Sequence, residues 1–469
     1  MPRRLGRPPG ARRPTVITKV ANGQEISVAA AADASSSWPR TLILGVRRLR
    51  ARGRIYLLSA LSVLWALWAC NLPLKALRLD NATATPRPTA IPASTPTPFQ
   101  PLAPTLRASP VPPTGTPTAT FTPAPSATPL AIIIRGPVVQ SVTLDSAIIV
   151  WDTDRPVTGH VEYGETADHG SRQSEWQTTR RHAVQITGLL PHTYYHYRVA
   201  APDGPLTGDA SFRTAAKPED PYCFAVVGDT QAGHETHRLI VDRILSMAPD
   251  LVLHTGDLVA DGTIEENWVT FFNIEHDLLQ NLPVYPTLGN HEMQASLYFD
   301  QFHLPGNERW YTFDYGNTRF IALEIDKAAA YDPSSEQYAW LEAALAGNTQ
   351  TWLVVYFHIP PYTGSREDAG DVPTVRENLS PLFVRHGVDL VFNGHHHNYQ
   401  RFQIDGVNYV ITGGGGGSMH AISSVESGLV AYSQQHNFVY VSVAGDALFV
   451  TVLSPDGETL DEFRLTSRR

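Results

Sequence analysis

Five short apolar runs in the C-terminal half of this chain each lead into a residue able to hold a metal ion, and no other feature limits the possible fold as much. CFAVVGD ends at Asp229, LVLHTGD ends at Asp257, VYPTLGNHE contains Asn290, WLVVYFH ends at His358, and DLVFNGHHH carries His395 and His397. Each run has the pattern of a strand buried on both faces, with its polar residue just past the C-terminal end. In layered α/β proteins ligands gather beyond the carboxyl ends of strands, so residues far apart in sequence can meet there. Glycine precedes Asp229, Asp257, Asn290 and His395, where it permits a sharp turn and a close approach of backbone to an ion. Segments of helical period, such as ETHRLIVDRILSM and SSEQYAWLEAAL, separate the runs. The second puts Tyr338, Leu341 and Leu345 on one face, as core packing requires. Residues 217–469 are therefore expected to form an α/β layered domain of sheets flanked by helices.

The order GD, GDL, GNHE, VxxH, GHxH, over roughly residues 218–469, resembles the calcineurin-like metallophosphoesterase superfamily. VVYFHIPPY with GHHHNYQR resembles its purple-acid-phosphatase-like branch. That resemblance implies that Asp229, Asp257 and His397 bind one metal ion and Asn290, His358 and His395 a second, with Asp257 bridging. Two cations about 4 Å apart need a shared carboxylate to offset their repulsion. Oxygen and imidazole donors without thiolate suit two divalent or trivalent transition-metal ions, Fe, Mn or Zn, and do not choose among them. The resemblance further implies hydrolysis of phosphate mono- or diesters, with a metal-bound hydroxide as nucleophile. His291 matches the catalytic histidine, which would protonate the leaving oxygen or stabilise its charge.

The neighbours of these residues carry further expectations. His395 and His397 alternate, so an extended segment would project both to one side and turn His396 away, leaving it solvated, supporting a ligand, or touching substrate. Glu292 is expected to orient a histidine rather than to bind metal. Gln231 stands where many superfamily members have a metal-holding histidine; an amide ligand and a supporting or substrate-facing role are both open. Ala260 stands where the purple enzymes have a ligand tyrosine, so the first metal would be less tightly specified. Arg401 and His420 are expected at the rim, and His254 as a satisfied core histidine or one that supports a ligand. The run TGGGGGS at 412–418 lacks the lysine of a phosphate-binding loop and is expected to be a flexible turn near the site.

Upstream, residues 131–216 break into short alternating runs, SAIIVWDTD, GHVEYGE, HAVQITGL and TYYHYRVAA, between turn residues, the pattern of a β-sandwich. They resemble the fibronectin-III-like domain that precedes the catalytic domain of purple acid phosphatases. Residues 71–130 form a linker whose Thr/Pro-rich low complexity favours an extended stalk. Residues 55–70 form a signal peptide or membrane anchor. Their apolar run, about 15 residues, is short for a membrane span of about 20, and LWAC resembles a lipobox that would place a lipid on Cys70. Lipidation, a retained signal anchor and simple cleavage all export the body, to the outer face of a bacterial membrane or the cell surface.

Residues 1–54 hold 12 Lys/Arg against Glu25 and Asp33, offer no periodic apolar face and are expected to be a disordered extension. The rest carries 36 − 12 = 24 basic and 45 − 2 = 43 acidic residues, which argues against nucleic-acid binding through phosphate neutralisation. A phosphate-ester small molecule or nucleotide is the expected substrate. With only Cys70 and Cys223 present, a disulfide framework is excluded, and Cys223 is expected as a small buried core residue. The competing function is a non-catalytic surface binding or adhesion protein on a degenerate phosphoesterase fold. Loss of ligands would favour it, but apart from Gln231 and Ala260 the set is intact.

Overall fold

The structure is a computed structural model that describes residues 130–326, 329–366 and 370–469. The basic extension, the signal or anchor segment with Cys70, and most of the linker lie outside the described residues. Among the described residues no helix is long and apolar enough to cross a membrane.

A β-rich domain comes first. Its central strand, Ser146–Gly164, runs for 19 residues and pairs along its length with Ser171–Thr187. Its first half also pairs with Ile133–Gln140 and its second half with Tyr194–Ala201, so one continuous hydrogen-bonded sheet folds over on itself. Val139, Ile149, Trp151, Val161, Ile186, Tyr197 and Phe212 fill the space between the halves. This domain braces the next through specific contacts: Tyr197 donates to the Gln280 carbonyl at 2.7 Å, Gln140 to the Gln301 carbonyl at 3.2 Å, and Tyr285 to the Val142 carbonyl at 3.2 Å.

Two sheets and their flanking helices make up the rest. One sheet runs in spatial order Thr459–Thr466, Ala447–Leu453, Phe438–Ala444, Tyr222–Val227, Leu251–His254 and Val284–Pro286, the last three strands being parallel. The other runs Tyr311–Tyr315, Thr318–Ala322, Trp352–Phe357, Leu390–Asn393, Val407–Thr412, Tyr399–Ile404 and Leu429–Ser433, with four parallel strands at its centre. Their inner faces meet in one core that includes Phe224, Val226, Phe320, Tyr356, Phe392 and Val450. Helix Glu336–Ala346 starts at Ser335, whose hydroxyl caps the Tyr338 N–H at 3.2 Å. It buries Leu341 and Leu345 on the outer face of the second sheet, and Tyr338 packs partly buried beside them. Strands covered on both faces must be apolar at every position, and Tyr222–Val227 and Trp352–Phe357 are buried throughout. Cys223 is fully buried in the first of these, as expected of a small core residue, with its sulfur 3.4 Å from the Ser442 hydroxyl; Cys70 lies outside the described residues.

Candidate metal centre

The parallel strands of both sheets end on one side of the core, and the turns that follow them carry the polar residues. Asp229, Asp257 and His395 adopt left-handed backbone, with φ of 60°, 56° and 70°. Non-glycine residues rarely hold that conformation, and such strain collects at functional sites. The glycines of these turns are needed for proximity as much as for turning. A Cβ on Gly394 would lie 2.4 Å from Asp229 Oδ2, and one on Gly289 would lie 2.2 Å from Asp257 Oδ1.

Two groups of donor atoms result. In one, His358 Nε2 and His395 Nδ1 lie 3.3 Å apart, and Asn290 Oδ1 lies 3.2 Å from the first and 3.1 Å from the second. In the other, His397 Nε2 lies 3.4 Å from Asp229 Oδ1 and 3.1 Å from Gln231 Nε2. Asp257 stands between: its Oδ2 is 3.2 Å from His358 Nε2, and donor atoms of Asp229, Asp257 and His358 all lie within 4.8 Å of one another. Ligands about 2.0–2.2 Å from a tetrahedral cation sit roughly 3.3–3.6 Å from each other, close to the spacing of these atoms.

Backbone carbonyls set the histidine tautomers. A carbonyl can only accept, so Nδ1 carries the proton where it meets one: His358 Nδ1 donates to Thr255 at 2.9 Å, His397 Nδ1 to Ser418 at 2.8 Å and His291 Nδ1 to Ala260 at 2.7 Å. In each neutral ring Nε2 then holds the lone pair. Burial opposes a charge on His358, but Asp257 outweighs it and raises the imidazole to about 10. Burial would likewise raise Asp257, yet His358 holds it down at about 2. A proton on His358 thus does the neutralising that a cation would do. Gln231 Oε1 is buried without a hydrogen-bond partner among the described residues, and a half-turn of its amide exchanges this oxygen for the nitrogen that faces His397. The donor set fits cations on three counts: paired buried carboxylates, lone pairs aimed at one another, and an unsatisfied amide oxygen.

Residues 223–399 match the calcineurin-like phosphoesterase family and residues 137–214 the purple acid phosphatase N-terminal domain. The chain carries both domains, in that order. Purple acid phosphatase 15 of Arabidopsis thaliana is 29% identical over 50% of this chain and 53% of its own, and purple acid phosphatase 21 of the same plant is 30% identical over 53% and 62%. The chain thus spans little more than half the length of these relatives. The solved purple acid phosphatase PPD1 from yellow lupin (Lupinus luteus) seeds superposes with a TM-score of 0.62 at 20% identity, over 70% of this chain and 74% of that one, and shows the same fold.

Within the phosphoesterase domain several expectations need correcting. His395 and His397 do not share one side of an extended segment. The left-handed turn at His395, closed by His396 N–H to the Gly394 carbonyl at 2.8 Å, sends the two rings to different donor groups. His396 is not solvated but fully buried, beside the rings of His395 and His420, and burial followed by the neighbouring histidines lowers it to about 2. Glu292 meets backbone amides and not, among the described residues, a histidine ring. Its buried carboxylate accepts backbone N–H groups of Asp257, Leu258, Val259 and Gly289 at 2.8, 2.8, 3.3 and 2.7 Å, joining the two turns that carry Asp257 and Asn290. Burial and then Asp257 push it up to about 7 against the pull of those donors.

Arg401 is not at the rim. Asp461 takes its guanidinium at 2.7 Å over the Phe463 ring, which ties the edge strand of the first sheet to a strand of the second. The glycine run is no flexible turn either. Gly413–Gly417 are all buried, Gly415 and Gly417 donate to the carbonyls of Gly228 and Asp229, and added Cβ atoms would meet Asp229, Asn437 or His397 at 2.2–2.7 Å. His254 is a core histidine as expected, bonded through Nε2 to Thr230 at 3.0 Å with burial lowering it to about 3, but it is not fully satisfied, since its Nδ1 is buried without a hydrogen-bond partner among the described residues. Sequence reasoning missed the carbonyls of Thr255, Ala260 and Ser418, because no side chain marks a backbone acceptor.

Proposed function

We propose that the protein is an exported, metal-dependent phosphoesterase that hydrolyses phosphate mono- or diesters. The observation that carries this reading is the position of Asp257 between two donor groups, with Asp229 and His358 donor atoms within 4.8 Å. Asp229, His397 and the Gln231 amide oxygen would hold one cation, Asn290, His358 and His395 the other, and Asp257 both. Two cations held there would supply Lewis-acid charge for the phosphoryl oxygens and would lower the pKa of coordinated water.

The chain's own residues supply position and a proton. Glu292 fixes the turns that present Asp257 and Asn290. The His291 N–H donates to Asp257 Oδ1 at 2.9 Å, and its ring, anchored through Nδ1 to Ala260, leaves Nε2 at 3.9 Å from Asp257 Oδ2. With its side chain 39% exposed, His291 can meet an incoming ester and hold a proton at Nε2 for the leaving oxygen. The test is turnover of aryl monoesters, diesters and nucleotides by purified protein reconstituted with Mn, Zn or Fe. Absence of hydrolysis in protein that demonstrably holds two metals would overturn the reading.

Export rests on the apolar run ending in LWAC, and a lipid on Cys70 would place the catalytic domain on the outer face of a bacterial membrane. Mass spectrometry of the Cys70 peptide is the test: a diacylglycerol adduct supports the anchor, and an unmodified Cys70 refutes it.

A further inference from the structure

We propose that His420 is a positioning residue for the metal ligand His397, and that Gly417–His420 is a four-residue clamp on that ligand. The proposal rests on the dinuclear reading above. One short segment touches the His397 imidazole in three ways. Gly417 closes on the ring so tightly that a Cβ there would lie 2.4 Å from Cε1 and 2.5 Å from Nδ1. Ser418 accepts the Nδ1 proton through its carbonyl at 2.8 Å. His420 lies nearly parallel to the ring, with centroids 4.2 Å apart and planes 15° from each other.

His420 is itself locked to the backbone of the ligand it covers. Its N–H donates to the His397 carbonyl at 2.9 Å, and its Nδ1 accepts the His397 N–H at 3.3 Å. Asn398 holds the His420 carbonyl through its amide at 3.1 Å. Glycine approach, tautomer and stacking together leave the His397 ring no freedom to tilt or turn over.

The other donor group shows why this ring should need a clamp. There two imidazoles, His358 and His395, lie 3.3 Å apart with Asn290 and Asp257, and each limits the other. His397 is the only imidazole of its group, its amide neighbour Gln231 is a weak donor, and Ala260 offers no side-chain oxygen. Precise placement of the remaining strong donors then governs how well a cation is held, since partners outside the coordination sphere typically change metal affinity about 10–100-fold. His420 also stacks without occupying a donor position, so its removal leaves every proposed ligand in place.

The experiment compares wild type with His420→Ala and His420→Phe by equilibrium metal titration, elemental analysis and the visible spectrum of the cobalt(II)-substituted protein. The expected result is that H420A weakens one of the two bound metals about 10–100-fold and alters part of the cobalt spectrum, while the other metal is unchanged. H420F, which keeps a flat ring against His397, should recover most of the affinity. Turnover at saturating metal should fall less than turnover at limiting metal, a separation that a loss of folding would not give. Unchanged affinity for both metals in H420A would overturn the proposal, as would equal weakening of both. A wild type that binds no metal pair would instead overturn the dinuclear reading itself.

Discussion

Gly289→Ala is a one-methyl change that tests how tightly the fold holds the proposed centre. Gly289 has no positive φ, so alanine suits its backbone and by chain entropy alone would stabilise the protein by about 0.4–1 kcal/mol. Its Cβ, however, would lie 2.2 Å from Asp257 Oδ1 and 2.4 Å from the Asp257 nitrogen, where contacts under 3.0 Å essentially never occur. Relief requires the carboxylate to move by at least 3.0 − 2.2 = 0.8 Å and the backbone by 3.0 − 2.4 = 0.6 Å. That backbone is pinned, because Glu292 holds the N–H groups of both Asp257 and Gly289. Overpacking of this kind costs about 1–3 kcal/mol, and a displacement near 1 Å at a reacting centre costs about 100-fold in rate. Urea melts, metal content after dialysis and phosphoester turnover should therefore all fall. Gly170→Ala, with nothing within 4 Å of the added Cβ, should leave all three unchanged. Full metal content and wild-type turnover in G289A would show that Asp257 does not bridge.

Asp257→Ala should empty both metal positions and His358→Ala mainly one, as read by elemental analysis; two metals per chain in D257A would refute the bridging role. In chelated protein, the raised His358 value contributes stability that is complete below its ordinary 6.5 and lost as pH rises through about 10. Melting temperature in chelator should accordingly fall over that window, with a much smaller fall when metal holds His358 neutral; a flat profile for the chelated protein would refute this. The protein should also lack a purple band even when loaded with iron, and should work with a divalent pair, because Ala260 offers no phenolate. An intense visible absorption from the wild-type iron protein would sink that expectation.

The positions of the candidate metal-binding residues were legible because each follows an apolar run too short and too uniformly apolar to be anything but an interior strand. Strand ends dictate where such residues collect, whatever their separation in sequence. What surrounds them was less legible, for physical reasons. Arg401 looks like a rim cation until Asp461, 60 residues on, captures it, and alternation within a strand does not disclose its partner across a sheet boundary. Glu292 looks like one more carboxylate beside a histidine, yet four backbone donors converge on it, and the amides of a turn leave no mark in the sequence. The glycine run invites the reading of flexibility because glycine permits it. Five consecutive glycines are equally the signature of a wall where no Cβ fits, and only the closeness of Asp229, Asn437 and His397 decides between the two.

Charge connects the missing tyrosine to the choice of metals. Asp229 and Asp257 give the centre two formal negative charges, and its other proposed donors, Asn290, His358, His395, His397 and Gln231, are neutral when they bind metal. Two divalent ions would leave the site at +2. A purple centre with one added tyrosinate and one ferric ion in place of a divalent one arrives at the same +2. Replacing the tyrosine by Ala260 therefore preserves the attraction for a phosphate ester only if the trivalent ion is given up as well, since ferric iron without the phenolate would leave +3 in a buried site. The neutral Gln231 makes the same demand, and it meets softer, divalent ions with a donor that adds no charge. On this account, colour and metal preference change together, and the proposed hydrolysis depends on neither.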